Sequence, residues 1–142
     1  MSRENVEVVR SSFEAFARGD FGNAFSSYAP RTEWCTAADE PDQQTHRGIA
    51  ALNALVESLA EPWVDRFADT MEFEGFIDGG DWVVVPWSAR VRGRGSGISI
   101  EISETYAVRV HEARIVRVEE YRTKEQALEA LGLSEDRTSQ RR

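Results

Sequence analysis

Ile98-Ser99-Ile100-Glu101-Ile102-Ser103-Glu104-Thr105-Tyr106-Ala107-Val108-Arg109-Val110 decides the fold. Its even positions are Ile98, Ile100, Ile102, Glu104, Tyr106, Val108 and Val110, and its odd positions are mostly polar. Period two over thirteen residues is the signature of a strand with one buried face. Ile115 to Arg122 alternates in the same way, with Val116, Val118, Glu120 and Arg122 on one side. The short connection His111-Glu112-Ala113-Arg114 predicts an antiparallel hairpin. If both even faces point inward, the closed loop has an odd number of residues, as in a three-residue hairpin ending in a bulge. One such register sets Tyr106 opposite Glu120 and Glu104 opposite Arg122. A buried carboxylate has to be paired, protonated or beside water, so this patch predicts a cavity rather than solid core.

Working outward, Val6, Val9, Phe13 and Phe16 fall at helical spacing between Arg3 and Arg18, with Gly19 as the stop. Asp20 reads as the N-cap of a short second helix carrying Ala24, Phe25 and Tyr28 and closed by Pro30. Thr32 to Cys35 reads as a short strand and Ala38 to His46 as a polar loop of the kind that forms a lid or mouth. Ile49, Leu52, Leu55, Val56 and Leu59 stripe a third helix that Pro62 ends. Strands are expected over Asp65–Ile77 and Trp82–Arg92 around the turn Asp78-Gly79-Gly80-Asp81. Thr123 and Gln126 form a capping box for a last helix that Gly132 stops. Helices and strands are thus segregated, which means α+β: a four-strand antiparallel meander curled around helices as a cone open at one end. The expected layout is one domain over residues 1–133 and a disordered tail over 134–142.

Composition bounds the function. With 142 residues the chain makes one core, and its 41% hydrophobic and 30% charged residues fit a globular protein. A formal charge of −8 argues against nucleic acid, whose phosphates need a basic surface. No apolar run is long enough for a membrane span, and no apolar leader precedes Asn5, so the cytoplasm is the expected compartment. One cysteine, Cys35, and two histidines, His46 and His111, leave no basis for a zinc site. Neither metal nor cofactor is expected.

The chain resembles the SnoaL-like family, within the wider fold of nuclear transport factor 2 and ketosteroid isomerase, over about Asn5 to Leu133. The carriers are Phe13-Glu14-Ala15-Phe16-Ala17-Arg18-Gly19-Asp20, Arg47-Gly48, Asp78-Gly79-Gly80-Asp81-Trp82-Val83-Val84-Val85, the turn Arg92-Gly93-Arg94-Gly95-Ser96-Gly97, and Ile115-Val116-Arg117-Val118-Glu119-Glu120-Tyr121 with the Glu125–Leu133 ending. The resemblance implies a pocket for a small apolar or polyketide-like metabolite. It also implies a homodimer through the outer face of the sheet, where Arg117, Glu119, Tyr121 and Trp82 are expected. Steroid isomerisation is not implied: the isomerase's proton-shuttling Asp falls near Cys35, its oxyanion-binding Tyr near Ser12 and its protonated Asp at Tyr106, with only a pocket tyrosine kept, as Tyr28. Glu104, Glu120 and Arg122 echo in type the two acids and bridging Arg of the fold's epoxide hydrolases.

Two readings of these residues stand side by side. In the first, Glu104 moves a proton, Tyr106 stabilises an oxyanion, and Glu120 with Arg122 fixes water or tunes Glu104. Phe13, Phe16, Tyr28, Trp34 and Trp87 then line an apolar pocket. In the second, the module does not catalyse, Glu104 pairs with Arg122, and Tyr106 is a core aromatic bonded to Glu120. A void reaching Glu104 and Tyr106 favours the first, and a sealed Glu104–Arg122 pair favours the second.

Overall fold

In the computed structural model the described residues are 2–37, 44–64 and 67–133. The expected tail from Ser134 lies outside them, as does most of the loop expected from Ala38. Among the described residues four α-helices, α1 (Ser2–Ala17), α2 (Phe21–Ser26), α3 (Ile49–Ala60) and α4 (Lys124–Ala130), accompany a single seven-stranded sheet. Its strands are β1 (Tyr28–Cys35), β2 (Thr45–Arg47), β3 (Glu72–Phe73), β4 (Ile77–Gly79), β5 (Trp82–Arg92), β6 (Ser99–His111) and β7 (Arg114–Tyr121). They are ordered β2-β1-β7-β6-β5-β3, with β4 also on β5. This is an α+β architecture, an open curved sheet with α1, α2 and α3 against its inner face and α4 on its outer one.

The central hairpin keeps the expected pairing but reaches it by a different device. Tyr106 lies opposite Glu120 and Val108 opposite Val118. The loop has two residues, not three: His111 pairs with Arg114, and Glu112 and Ala113 carry positive φ of 50° and 62°, as a primed hairpin turn requires. Such a turn alone would place even residues opposite odd ones. The odd residue that restores parity is Val116, where the register slips between Val110↔Ile115 and Arg109↔Arg117. The bulge, rather than the turn, therefore brings Glu120 to the same face as Tyr106.

Three further expectations are corrected. Tyr28 opens β1 instead of ending the second helix, because the chain leaves α2 at Ser26 and Tyr28 pairs in parallel with Ile115. Pro30 is tolerated there because the β1–β7 register is already irregular between Tyr28 and Glu33, so a missing N–H breaks no regular ladder. The Asp65–Ile77 strand is replaced by a 3-10 turn at Phe67–Thr70 and the short strands β3 and β4, both on β5. His46 sits in β2, not a loop, since Cys35 and Trp34 pair with Thr45 and His46.

Local chemistry explains the rest. Asp20 caps α2 by accepting from the Asn23 N–H, and Thr123 caps α4 by accepting from Gln126 while the Gln126 amide accepts from the Arg122 N–H. Gly80, at φ +86°, makes the β4–β5 turn, and the Asn5 side chain donates to its carbonyl, tying α1 to that hairpin. The core joins Val9 and Phe13 of α1 and Leu52 of α3 to Val83, Val85 and Trp87 of β5, Tyr106 and Val108 of β6 and Val118 of β7. A smaller outer cluster seats Ala127 and Leu128 of α4 on Val84.

Candidate functional site

Within the cone, α1, α2 and α3 stand off the sheet and leave a cavity. About 50 Å³ of it is open to the centre of a water-sized sphere, room for a few waters or a small ring. Phe13, Phe16 and Phe25 form one wall, Leu52, Leu55 and Leu59 another, and Tyr28, Trp34, Phe73 and Tyr106 close the sheet side. Leu59 is 40% exposed and marks the mouth. The α3 stripe already held the sequence signal for these leucines, since helix faces that line a void and faces that fill a core share one spacing.

Of the residues expected to bind ligand, Phe13, Phe16, Tyr28 and Trp34 line the cavity. Trp87 does not; it packs behind the wall, 5.4 Å from the Tyr106 ring. Of the residues expected to act chemically, Tyr106 alone lines it, whereas Glu104, Glu120 and Arg122 stand behind or beside it. Phe13, at 6.0 Å, and Trp34, at 5.0 Å, meet the Tyr106 ring edge to face, so this phenol is fixed on three sides by aromatics.

The polar cluster is built across β1, β7 and β6. Trp34 and Val118 are parallel partners, which aims the indole at the next inward residue of β7. Its Nε1–H donates to Glu120 Oε2 at 2.7 Å, a charge-assisted bond in a residue only 8% exposed. Glu104, opposite Trp87, has a side chain 16% exposed and sits 3.9 Å from the Arg122 guanidinium, which is itself 47% exposed. Burial holds the Tyr106 phenol well above its ordinary range, and the neighbouring charges of Glu104 and then Glu120 push the same way. Burial also raises Tyr28, partly offset by its hydrogen bond with Ser12. At neutral pH both phenols are therefore proton-bearing donors, not bases.

Cys35 lies on the opposite face from Trp34, with its Sγ 3.6 Å from Thr45 Oγ1, so it does not enter the cavity. His46 does not line it either. Among the described residues no three of His, Cys, Asp and Glu converge as metal ligands, and no helix is long and apolar enough to cross a membrane.

The model of the SnoaL-like domain matches residues 9–118. This chain belongs to the SnoaL-like family. Among curated proteins none matches in sequence. An NTF2-like protein of Burkholderia thailandensis E264 is 25% identical, with a TM-score of 0.73 over 87% of this chain and 96% of its own. A protein of Jannaschia sp. CCS1 described as a SnoaL-like polyketide cyclase is 17% identical, with a TM-score of 0.71 over 93% and 94%. TerC, solved with polyporic acid, is 19% identical, with a TM-score of 0.68 over 91% and 98%. At these identities the last two show that the SnoaL-like chain shares their fold, and no more.

Proposed function

We propose that the SnoaL-like cone binds a small, largely apolar, uncharged molecule with one hydrogen-bond acceptor, to which Tyr106 donates. The observation that carries this reading is that Tyr106 is common to the cavity wall and to the polar cluster. A buried phenol kept protonated by its surroundings suits a carbonyl or hydroxyl acceptor. Two carboxylates against one half-exposed guanidinium disfavour an anion there. The protein of this fold described as a SnoaL-like polyketide cyclase supports a polyketide-like metabolite as the ligand class.

In the enzymatic form of this reading the chain isomerises, cyclises or hydrolyses that metabolite by acid/base chemistry without a cofactor. Tyr106 polarises the acceptor, Glu104 moves a proton, and Glu120 with Arg122 sets the charge of the cluster. The non-catalytic form, a ligand-binding module, is favoured by one observation: Glu104 stands off the cavity wall with Arg122 beside it. The outer face of the sheet, with half-buried Trp82 and Tyr121, is reserved for pairing of two copies, which sedimentation of a Trp82→Asp variant checks by the expected shift to monomer.

The test compares 1-indanone with indane, titrated against tryptophan fluorescence. A hydrogen bond to the ketone contributes about 1 kcal/mol. Tyr106→Phe should then weaken indanone about fivefold and leave indane unchanged. Equal binding of the ketone by both proteins would remove Tyr106 as the anchor, and no binding of either compound would remove the cavity as the site.

A further inference from the structure

β6 is longer than the strand beside it. β7 accompanies it only from His111 back to Thr105, where Tyr121 is the last partner, and the chain then turns away into α4. Ser99 to Ser103 therefore pair with β5 alone. One bond sets the direction of their backbone groups. The Gly93 N–H donates to the Ile98 carbonyl, so Ile98, and by alternation Ile100 and Ile102, address β5. Ser99, Glu101 and Ser103 point the other way, and their N–H and C=O groups meet no backbone partner among the described residues. The same stretch carries Ile98, 63% exposed, and Ile100, 44% exposed, two of the four large apolar side chains left open to solvent among the described residues. Charge is the usual guard of such an edge, but the one charge here, Glu101, is answered by Arg90 at 3.5 Å across the β5–β6 ladder.

We propose that the Ser99–Ser103 edge of β6 pairs antiparallel with the same edge of a second copy, about a two-fold axis at Ile100. In that register Ser99 of each copy exchanges two backbone hydrogen bonds with Glu101 of the other. Ile100 meets Ile100 and Ile98 meets Ile102, as close cross-strand apolar pairs. Each Glu101 stands between its own Arg90 and, past the small Ser99 of the second copy, that copy's Arg92, because Arg92 and Ser99 are partners in the β5–β6 ladder. The register shifted by two residues toward Ser103 sets Glu101 against Glu101, which like charge disfavours. Charge and apolar pattern therefore both fit a second copy of this chain, and one two-fold contact uses up the edge of each. This edge is separate from the outer face around Trp82: Trp82 lies opposite Arg109, nine residues along β6 from Ile100, which is roughly 30 Å. So short a contact belongs to the small, weak class, and it forms at higher protein concentration than pairing through a face.

Edge pairing is independent of what the cone binds. It is tested in the Trp82→Asp protein, where pairing through the face is removed, and in the wild type alongside. Sedimentation velocity of Trp82→Asp from about 5 µM to about 500 µM should show a monomer becoming a dimer. Over that range the Ser99 and Glu101 amides of both proteins should gain roughly tenfold protection from hydrogen exchange. The Ile100 amide, bonded to β5, should be protected throughout. Ile100→Lys and Ile100→Glu, each at an exposed side chain, should abolish the dimer and the added protection. Mixing these two variants should restore both, because a two-fold axis at Ile100 sets the new lysine against the new glutamate. Copies that stay apart up to about 500 µM, association that Ile100→Lys leaves intact, or mixing that fails to restore it overturns the proposal.

Discussion

The two faces of β1 and β7 use the same kinds of residue to opposite ends. On the outer face Arg117 is bound at 2.7 Å by both Glu33 and Glu119, Arg47 takes the other Glu33 oxygen at 2.8 Å, and the Tyr121 hydroxyl donates to Glu119. Charge there is matched by charge and shared with solvent, so each pair contributes little. On the inner face, polar groups are few and enclosed by rings: Glu120 is held by Trp34, and Tyr106 by Phe13, Trp34 and Trp87. A polar group in that setting is energetically exposed to any change in its partners. The contrast teaches where to look: function is sought at the polar groups the fold encloses beside a void, not where they are most numerous.

The largest expected effect breaks the inner face. Trp34→Ala removes a core aromatic and takes from Glu120 its indole donor, which should cost about 3–5 kcal/mol by urea denaturation. A loss below about 1 kcal/mol would mean that the inner cluster is no more demanding than the outer one.

Alkaline titration sharpens the comparison. The chain has three tyrosines. Tyr121, on the outer face, is pushed up to about 12 by burial first and by its bond to Glu119 second. Tyr28 and Tyr106, inside, are raised by burial further still. A phenol whose folded value exceeds its unfolded value near 10 lends stability that is complete below pH 10 and declines as pH rises toward the folded value. Tyrosinate absorbance should therefore stay low at pH 10. Tyr121 should ionise first, and the inner pair only as the chain unfolds. Tyr121→Phe should delete the first step; an ordinary titration of all three near pH 10 would deny that the inner phenols are enclosed.

How much of this the sequence could reveal follows the range of the interactions. The β5 and β6 faces, the α1 and α3 stripes and the Thr123–Gln126 cap are periodic or local, so their residues carry them openly. Tyr106 opposite Glu120 was readable by parity, although the turn and bulge that deliver it were not, since Glu112 and Ala113 are unusual at positive φ. The parallel pairing of β1 with β7 joins residues more than eighty positions apart, and nothing near Trp34 announces it. Hence Trp34 could be expected in a pocket, while its bond to Glu120 could not. Cavity lining beyond parity, such as Phe73, was hidden because the irregular β3–β4 segment follows no period.

Two smaller effects complete the contrast. The Glu112-Ala113 turn closes the β6–β7 hairpin, and relieving Ala113 with glycine at φ 62° should stabilise the chain by about 1 kcal/mol, seen as a higher urea midpoint with an unchanged slope. A loss of stability instead would show that the turn is not held in the left-handed region. On the outer face, Arg117→Ala removes a partly exposed guanidinium, and its cost should not exceed about 1 kcal/mol and should shrink with salt. A cost like that of Trp34→Ala would erase the difference between the faces.

The most direct test of the central claim, that the enclosed aromatic cavity is the site, is an NMR map of 1-indanone binding. Shifts should concentrate on Trp34, Tyr106, Phe13 and Leu52, with the outer residues Arg117 and Tyr121 unmoved. Shifts confined to those outer residues, with the cavity residues silent at saturating ligand, would contradict it.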